Sequence, residues 1–540
     1  MEPTESRSRL IEAMKRPEFY PDRPHTVDFK QTHMSYVFLT DDYVYKIKKP
    51  VRFAFVDAFG LGSRYTLCRE ELRLNRRLAP KVYVGVVPII DHGSYFALGT
   101  DDNLYDAKVA EYAVKMRRLP EELMLDQLIH RGEVGHGSIQ KVAEKLAAFH
   151  HDASSAAGER YGSATAVRRL VLRNFDECRR FVGAHISEHG YHAIDRYLST
   201  FIEHHQGLLN LRAREGRVRE CHGDLRCEHV CMNRSLDIFD CVEFDEQLRY
   251  ADVASELAFL AMDLDSLQAE EVADELVERY VKLSGDEGLG TLLNFYKCHR
   301  ACIRAKVAAL KALEVEVPES ERELARAQSR ALFTLARSYA DAGRQCLIAV
   351  CGLAGSGKST VAEILRRMTG FEIVNSDRVR KHLAGIAEGD HPKNEYAAGI
   401  YSPEFDRLTY EISLDRSRES LRNGRGTIVD ATFKSREHRQ AILELGKQTR
   451  VPVLFVECRA SDEETVRRLR RRAAEGTGVS DAGVEVYEHQ KRDFAPLREV
   501  PERAHLVLET TLNRRLTLQM LRNALARTFE GGDTHRDGAR

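Results

Sequence analysis

Apolar and polar residues alternate through MSYVFLTDDYVYKIKKPV (34–51), in two runs on either side of Asp41-Asp42, and this pattern predicts a β-hairpin. Helical spacing follows at 63–78, and the run VYVGVVPII (82–90) predicts a strand, with a further strand near 107–115. Beyond these the period is that of helices. HGSIQKVAEKLAAFHHD (136–152), the 165–215 region and 251–316 all place apolar residues on one helical face, interrupted by the strand-like run LDIFDCVEF (236–244). Pro318 followed by Ser320-x-x-Glu323 has the form of a capping box and predicts a helix reaching about residue 342. From Cys346 the rhythm changes again. CLIAVCG (346–352), FEIVNSD (371–377), GTIVDAT (426–432), VPVLFVEC (451–458) and HLVLET (505–510) are short apolar runs separated by helical segments, which predicts a parallel sheet with crossover helices.

The resulting organisation is a first domain over 1–315, a connecting helix over 316–345, an α/β domain over 346–530 and a disordered tail over 531–540. A chain of 540 residues is too long for one ordinary core, in keeping with this division. The net charge of −1 gives no bulk electrostatic case for nucleic-acid or membrane binding. MEPTESRSRL lacks the apolar run of a signal peptide, and no segment has the length of a membrane span. Eleven cysteines in a chain this large read as reduced thiols, so a cytoplasmic protein is expected.

The sharpest motif is GLAGSGKST (352–360), which follows an apolar strand and precedes the helical TVAEILRRM. Gly352, Gly355, Ser356 and Gly357 let the backbone curl so that N–H groups face phosphate oxygens at a helix N-terminus, where the helix dipole is positive. Lys358 then reaches the β- and γ-phosphates, Ser359 takes Mg²⁺, and Thr360 completes the ATP-binding turn. Asp377 follows the second strand at the carboxyl edge of the sheet, where it is suited to accept a hydroxyl proton. Arg380, one helical step on, is suited to hold the substrate. Asp430 ends the next strand and is placed to orient Mg²⁺ through water or to touch the substrate. In RRLRRR (467–472), Arg468 and Arg472 lie one turn apart, as expected of a lid closing over a transferring phosphate.

With GLAGSGKST, NSDRVRKHL, IVDAT and RLRRR followed by SDAG (480–483), residues 346–530 resemble the small-molecule and polynucleotide kinase branch of P-loop proteins. That branch includes zeta toxins, gluconate-type kinases and the kinase domain of polynucleotide kinases. The resemblance implies a P-loop NTPase fold with a parallel α/β sheet, Asp377 as base and Arg380 on the substrate.

A second constellation lies upstream, around ECHGDLRCEHVCM (220–232). Cys221, Cys227, Cys231, His222 and His229 crowd together without the C-x₂-C pairs of a zinc site. The phosphotransferase reading draws on more of the chain. Asp224 is placed to receive or orient an acceptor hydroxyl, and Asp240 in IFDC is placed to hold Mg²⁺. Lys46 on the hairpin strand and Glu71 on the next helix form the pair that positions ATP phosphates, and Lys48, on the same strand face, can exchange roles with Lys46.

Through HGDL (222–225), FDCVEF and ADVASELAFL (251–260), roughly residues 30–315 resemble the aminoglycoside phosphotransferase and choline kinase superfamily. This implies a protein-kinase-like fold of the α+β kind, with the spacing to Asp252 favouring Asp240 over Glu243 or Asp245 as the metal ligand. The whole chain resembles a bacterial two-domain family described as bifunctional kinases. Two departures stand out. His229 occupies the position of the family's metal-binding asparagine, and imidazole is a poor ligand for Mg²⁺, which prefers oxygen. In place of a glycine-rich phosphate loop stands QTHMSYVFLTDD. The expected activity is ATP- and Mg²⁺-dependent transfer of the γ-phosphate to a small-molecule hydroxyl, with the carboxyl-terminal site as the main catalyst. The amino-terminal domain is then either a second kinase or a pseudokinase-like binder that regulates it. A nucleic-acid acceptor is disfavoured by the neutral charge and the absence of tryptophan, though 20 tyrosines and 22 phenylalanines keep stacking open.

Overall fold

The computed structural model describes residues 3–53, 56–99, 108–155, 158–315, 317–387, 399–423, 425–475 and 483–530. The SDAG segment up to residue 482 and the tail from 531 lie outside these. Compactness divides the chain into one unit of 1–170 with 205–289 and another of 171–204 with 290–540. This division runs differently from a line at 315.

In the first unit, strands β1 (Asp28–Gln31), β2 (Ser35–Leu39), β3 (Tyr43–Lys48), β4 (Tyr83–Asp91), β5 (Phe96–Leu98) and β6 (Val109–Arg117) form an antiparallel sheet of order β1-β2-β3-β6-β4-β5. The hairpin pairs Val37 with Lys46 and Leu39 with Val44, as the alternation around Asp41-Asp42 requires. Side chains alternate across β3. Tyr45 and Ile47 enter a core with Phe38, Ile89 and Ala113. Lys46 and Lys48 therefore share the opposite face. That face is covered by helix α1 (Leu61–Asn75), which adds Cys68 and Leu72 to a core with Val82, Val114 and Met116. The helical part holds α2 (His136–Asp152) and α3 (Val253–Ser266), the latter apolar nearly all round and correspondingly buried. This is a protein-kinase-like fold.

The expected strand over 236–244 reduces to Asp237–Ile238, paired with Val230–Cys231. Asp240 sits at φ 66°, a left-handed conformation that ends any extended run.

In the second unit, α4 (Glu319–Ala342) begins without the expected capping box. Its N-cap is Pro318, no side chain caps it, and Ser320 lies within the helix. Strands β7 (Leu347–Cys351), β8 (Glu372–Asn375), β9 (Thr427–Asp430), β10 (Val453–Arg459) and β11 (His505–Glu509) form a wholly parallel sheet of order β8-β9-β7-β10-β11. Both faces of β7 are covered. Ile348 and Val350 pack with Val361, Leu365, Leu454 and Leu521, whereas Leu347, Ala349 and Cys351 pack with Tyr410, Val429 and Phe455. Burial on both faces is why this strand reads as an unbroken apolar run. This is the P-loop NTPase architecture.

Candidate active sites

The carboxyl-terminal site grows from the end of β7. Gly352, Gly355 and Gly357 adopt φ of 135°, 78° and 92°, and helix α5 (Lys358–Thr369) starts at once. A Cβ on Gly352 would meet the carbonyl oxygen of Cys458 at 2.5 Å, so glycine is required there by both conformation and space. Lys358 Nζ donates to the Leu353 carbonyl at 2.8 Å, folding the lysine back over the loop. Ala354 N–H donates to Gln490 Oε1 (2.8 Å). Ser356 is buried, its hydroxyl without a partner, and Thr360 is exposed.

Ser359 donates its hydroxyl to Asp430 Oδ2 at 2.8 Å, and Asn375 Nδ2 donates to the same oxygen at 2.7 Å. Burial raises the Asp430 pKa, against the opposing pull of Lys358 and these two hydrogen bonds. Asp430 therefore serves the Ser359 hydroxyl. A serine hydroxyl beside a carboxylate at the mouth of the loop is an oxygen donor set that fits Mg²⁺.

Helix α6 (Ser376–Leu383) carries Asp377 and Arg380. Asn375, not Asp377, caps it, accepting from Arg378 N–H. Arg380 is buried and donates to Asp377 Oδ1 (2.9 Å) and to Asp406 Oδ1 (2.5 Å), the latter from the first turn of α7 (Pro403–Arg422). The guanidinium also lies 5.0 Å from the centre of the Tyr401 ring. On α8 (Asp462–Glu475), Arg468 does not stand out as a lid. It is pinned beside the loop by Glu464 Oε1 (2.7 Å) and by Thr510 Oγ1 (2.8 Å), whose hydroxyl donates in turn to the Ser356 carbonyl (2.7 Å). Arg472 lies one turn further along α8.

In the first unit, Lys46 Nζ bridges Glu71 Oε1 (3.0 Å) and Asp240 Oδ1 (2.6 Å). Lys48 does not exchange roles with it. Fully buried, it joins Glu71 Oε2 and Glu243 Oε1, each at 2.5 Å, so Glu243 is structural. Asp245 caps a short helix through Gln247 N–H. Buried α3 residue Glu256 accepts from the N–H groups of His222 (2.7 Å) and Gly223 (3.1 Å), fixing the loop that presents Asp224. All eleven cysteines are buried thiols. His150, Cys221 and Glu256 are the one set of possible metal ligands among the described residues, and Glu256 already uses both oxygens on that loop. Cys227, Cys231 and His229 take no part in the set.

Around Asp224, Arg226 donates to Oδ2 from Nε (3.1 Å) and Nη2 (2.9 Å). His229 Nδ1 lies 2.8 Å from the Asp224 carbonyl, and its Nε2 lies 3.1 Å from Arg226 Nη2. Burial and then the Arg226 charge lower the His229 pKa. Asp240 is held well below the usual carboxylate range. Desolvation opposes this, and Lys46 and then His229 outweigh it.

A family model described as an AAA domain matches residues 347–497. The carboxyl-terminal half carries a P-loop domain of the kinase type. Rv2004c of Mycobacterium tuberculosis and Mb2027c of Mycobacterium bovis, both described as uncharacterized proteins, are 28% identical to this chain over 464 residues. The match covers 85% of this chain and 88% of each relative, so it spans both units. Among solved structures, a choline/ethanolamine kinase family protein from Mesorhizobium loti covers 61% of this chain and 98% of its own (14% identity, TM-score 0.35). A gluconokinase from Sinorhizobium meliloti covers 37% and 98% respectively (17% identity, TM-score 0.26). No helix among the described residues is long and apolar enough to cross a membrane.

Sequence reasoning missed Asn375, Asp406, Thr510, Gln490, Arg226 and Glu256. Asn375 and Arg226 carried a local signal, each standing two residues from a candidate carboxylate. The others reach their sites only through the fold.

Proposed function

We propose that the carboxyl-terminal site transfers the γ-phosphate of ATP to a hydroxyl of an uncharged, polyol-like small molecule. The observation that carries this reading is the chain Ser359–Asp430–Asn375 beside Asp377. It aligns a phosphate-binding loop, a metal-binding hydroxyl and a candidate base along one sheet edge. The loop amides and Lys358 bind the phosphates, and Ser359 with Asp430 would hold Mg²⁺. When bound, that ion neutralises charge on the β- and γ-oxygens. Asp377 accepts the acceptor's hydroxyl proton, and Arg380 fixes the orientation of the carboxylate. Arg468 holds Thr510 against the loop and places positive charge near the phosphates.

The acceptor class follows from charge. Arg380 is already matched by two carboxylates, Asp377 and Asp406, so it offers little net attraction to a phosphorylated or polynucleotide acceptor. A neutral polyol, able to hydrogen-bond to both acids, suits this pocket better.

The test is a γ-phosphate transfer screen with the full chain against polyols, sugar phosphates and oligonucleotides. Transfer to neutral polyols is expected. Lys358→Ala should remove most turnover, and Asp377→Asn should lower it by about 10²–10⁴-fold. Turnover that survives Lys358→Ala and disappears with Asp224→Ala would assign the chemistry to the other unit.

A further inference from the structure

The sequence suggests that arginine-rich α8 is a lid over the phosphates, yet the fold presses it and the next helix against the P-loop itself. A Cβ on Gly355 would fall 2.9 Å from Leu469 and 3.0 Å from Thr465 of α8, and one on Gly357 would fall 3.2 Å from Arg468 Nη1. Helix α9 (Val484–Asp493) adds to this contact. Its Tyr487 is buried with Leu469 and Ala354 in a small apolar cluster flanked by Leu353 and Val484. The Tyr487 hydroxyl donates to Asp462 Oδ1 (2.7 Å), which ties the two helices together.

From α9, Gln490 Oε1 accepts the Ala354 N–H at 2.8 Å. The oxygen end of the same peptide, the Leu353 carbonyl, accepts from Lys358 Nζ at 2.8 Å. Glutamine and lysine therefore hold one peptide unit from its two ends. The peptide is trans, so these ends point to opposite sides. Lys358 is the group that reaches the β- and γ-phosphates, so the carbonyl faces the side that the lysine serves and the N–H faces away from it. Gln490 thus does not compete with the nucleotide for a loop amide. It fixes the rotation of the peptide on which the lysine rests. Ala354 is buried, so a turned peptide would leave its N–H to find another partner or go without one. We propose that Gln490 is a positioning residue for ATP: it locks the Leu353–Ala354 peptide with its carbonyl toward Lys358, and so keeps the empty loop and its lysine in the nucleotide-binding arrangement. This rests on the reading of the loop as an ATP site. Without the lock the peptide samples other rotations, and the apparent affinity falls with the fraction that remains competent.

The test compares the full chain with Gln490→Met, close in size but unable to accept the N–H, and with Gln490→Glu, which keeps an acceptor. One readout is the dissociation constant for MgATP. The other is the rate at which acetic anhydride modifies Lys358 without nucleotide, followed on the peptide between Arg344 and Arg366, where Lys358 is the only lysine. Gln490→Met should weaken MgATP binding about fivefold, the effect of one hydrogen bond, and should speed the labelling of Lys358. Gln490→Glu should return both to within about twofold of the parent, since its charge lies on the side of the peptide away from the lysine. Gln490→Ala takes the place of Gln490→Met if the latter proves unfolded by its melting temperature. A lower melting temperature with affinity and labelling unchanged would make Gln490 an anchor of α9 alone and overturn the proposal. Weaker binding without faster labelling, or an equal loss in Gln490→Glu, would overturn it too. A parent chain that binds no MgATP defeats the reading of the loop itself, whereas a parent that binds it and is matched by Gln490→Met defeats only this inference.

Discussion

His299 is buried with both ring nitrogens unpartnered, and burial, followed by the charges of Arg300 and Lys306, pushes its pKa down to about 3. The folded chain therefore holds it neutral, whereas the unfolded chain protonates it near 6.5. Below that pH the unfolded state gains a proton that the folded state refuses, so this contribution to stability is complete above 6.5 and is lost as pH falls toward about 3. His229 and His438 are shifted in the same direction and His222 in the opposite one, so the whole-chain profile mixes their effects. A variant isolates one of them. Between about pH 7.5 and 5, His299→Leu should reduce the pH-dependent loss of unfolding free energy by about 2 kcal/mol. Parallel profiles for the two chains, measured by urea titration, would show that His299 is not the group responsible. The same residue scale shows why Lys46 and Glu71 were legible and Arg226 was not. The lysine–glutamate pair follows from strand and helix order, while the grip of Arg226 on Asp224 and His229 depends on how a loop turns back on itself.

At the scale of elements, the P-loop is held by space as much as by chemistry. Gly352 at φ 135° lies against the Cys458 carbonyl, whereas Gly385 at φ 67° has nothing within 4 Å of a would-be Cβ. Gly385→Ala should therefore cost about 1 kcal/mol, the left-handed penalty alone. Gly352→Ala adds a backbone collision and should cost about 3 kcal/mol or more and weaken nucleotide binding. Equal shifts in melting temperature for the two variants would refute this account. The inner strands of the parallel sheet were readable because strands covered on both faces are buried along their length, as Leu347–Cys351 and Thr427–Asp430 are, and the strand ends bring Asp377 and Asp430 to one edge. The run at 236–244 mixes Asp237, Asp240 and Glu243 with its apolar residues, and a left-handed Asp240, joined by its N–H to the Tyr83 hydroxyl at 3.2 Å, bends it into a loop. Hydropathy reports burial there, not extension. The capping pattern at Ser320 failed for a related reason, since Pro318 begins the turn two residues earlier.

At the scale of the whole molecule, the sequence boundary at 315 meets a unit that is discontinuous in the chain. The helix over Leu289–Lys311 and the segment 171–204 belong with the P-loop sheet and α4. Their contacts are specific. Asn294 Nδ2 donates to the Met368 carbonyl (2.6 Å), Ser329 Oγ donates to the Ala305 carbonyl (2.9 Å), and Phe201 stacks on Phe295 at 4.5 Å. Tyr197 lies so close to Gly343 that a Cβ there would fall 2.5 Å from its ring. Such pairings join residues far apart in sequence, and no local period announces them. A fragment of residues 316–540 keeps the whole P-loop motif but uncovers the α4 face formed by Leu332, Phe333, Ala336 and Tyr339. Each large apolar side chain returned to water costs about 1.5–3 kcal/mol, so a few of them rival the entire stability of a domain. This fragment should aggregate or melt without a cooperative transition, and supplying 171–311 in trans should restore solubility in part. A soluble 316–540 fragment that melts cooperatively at the temperature of the full chain would show that the α/β sheet stands without its helical layer, and that the boundary at 315 is the physical one.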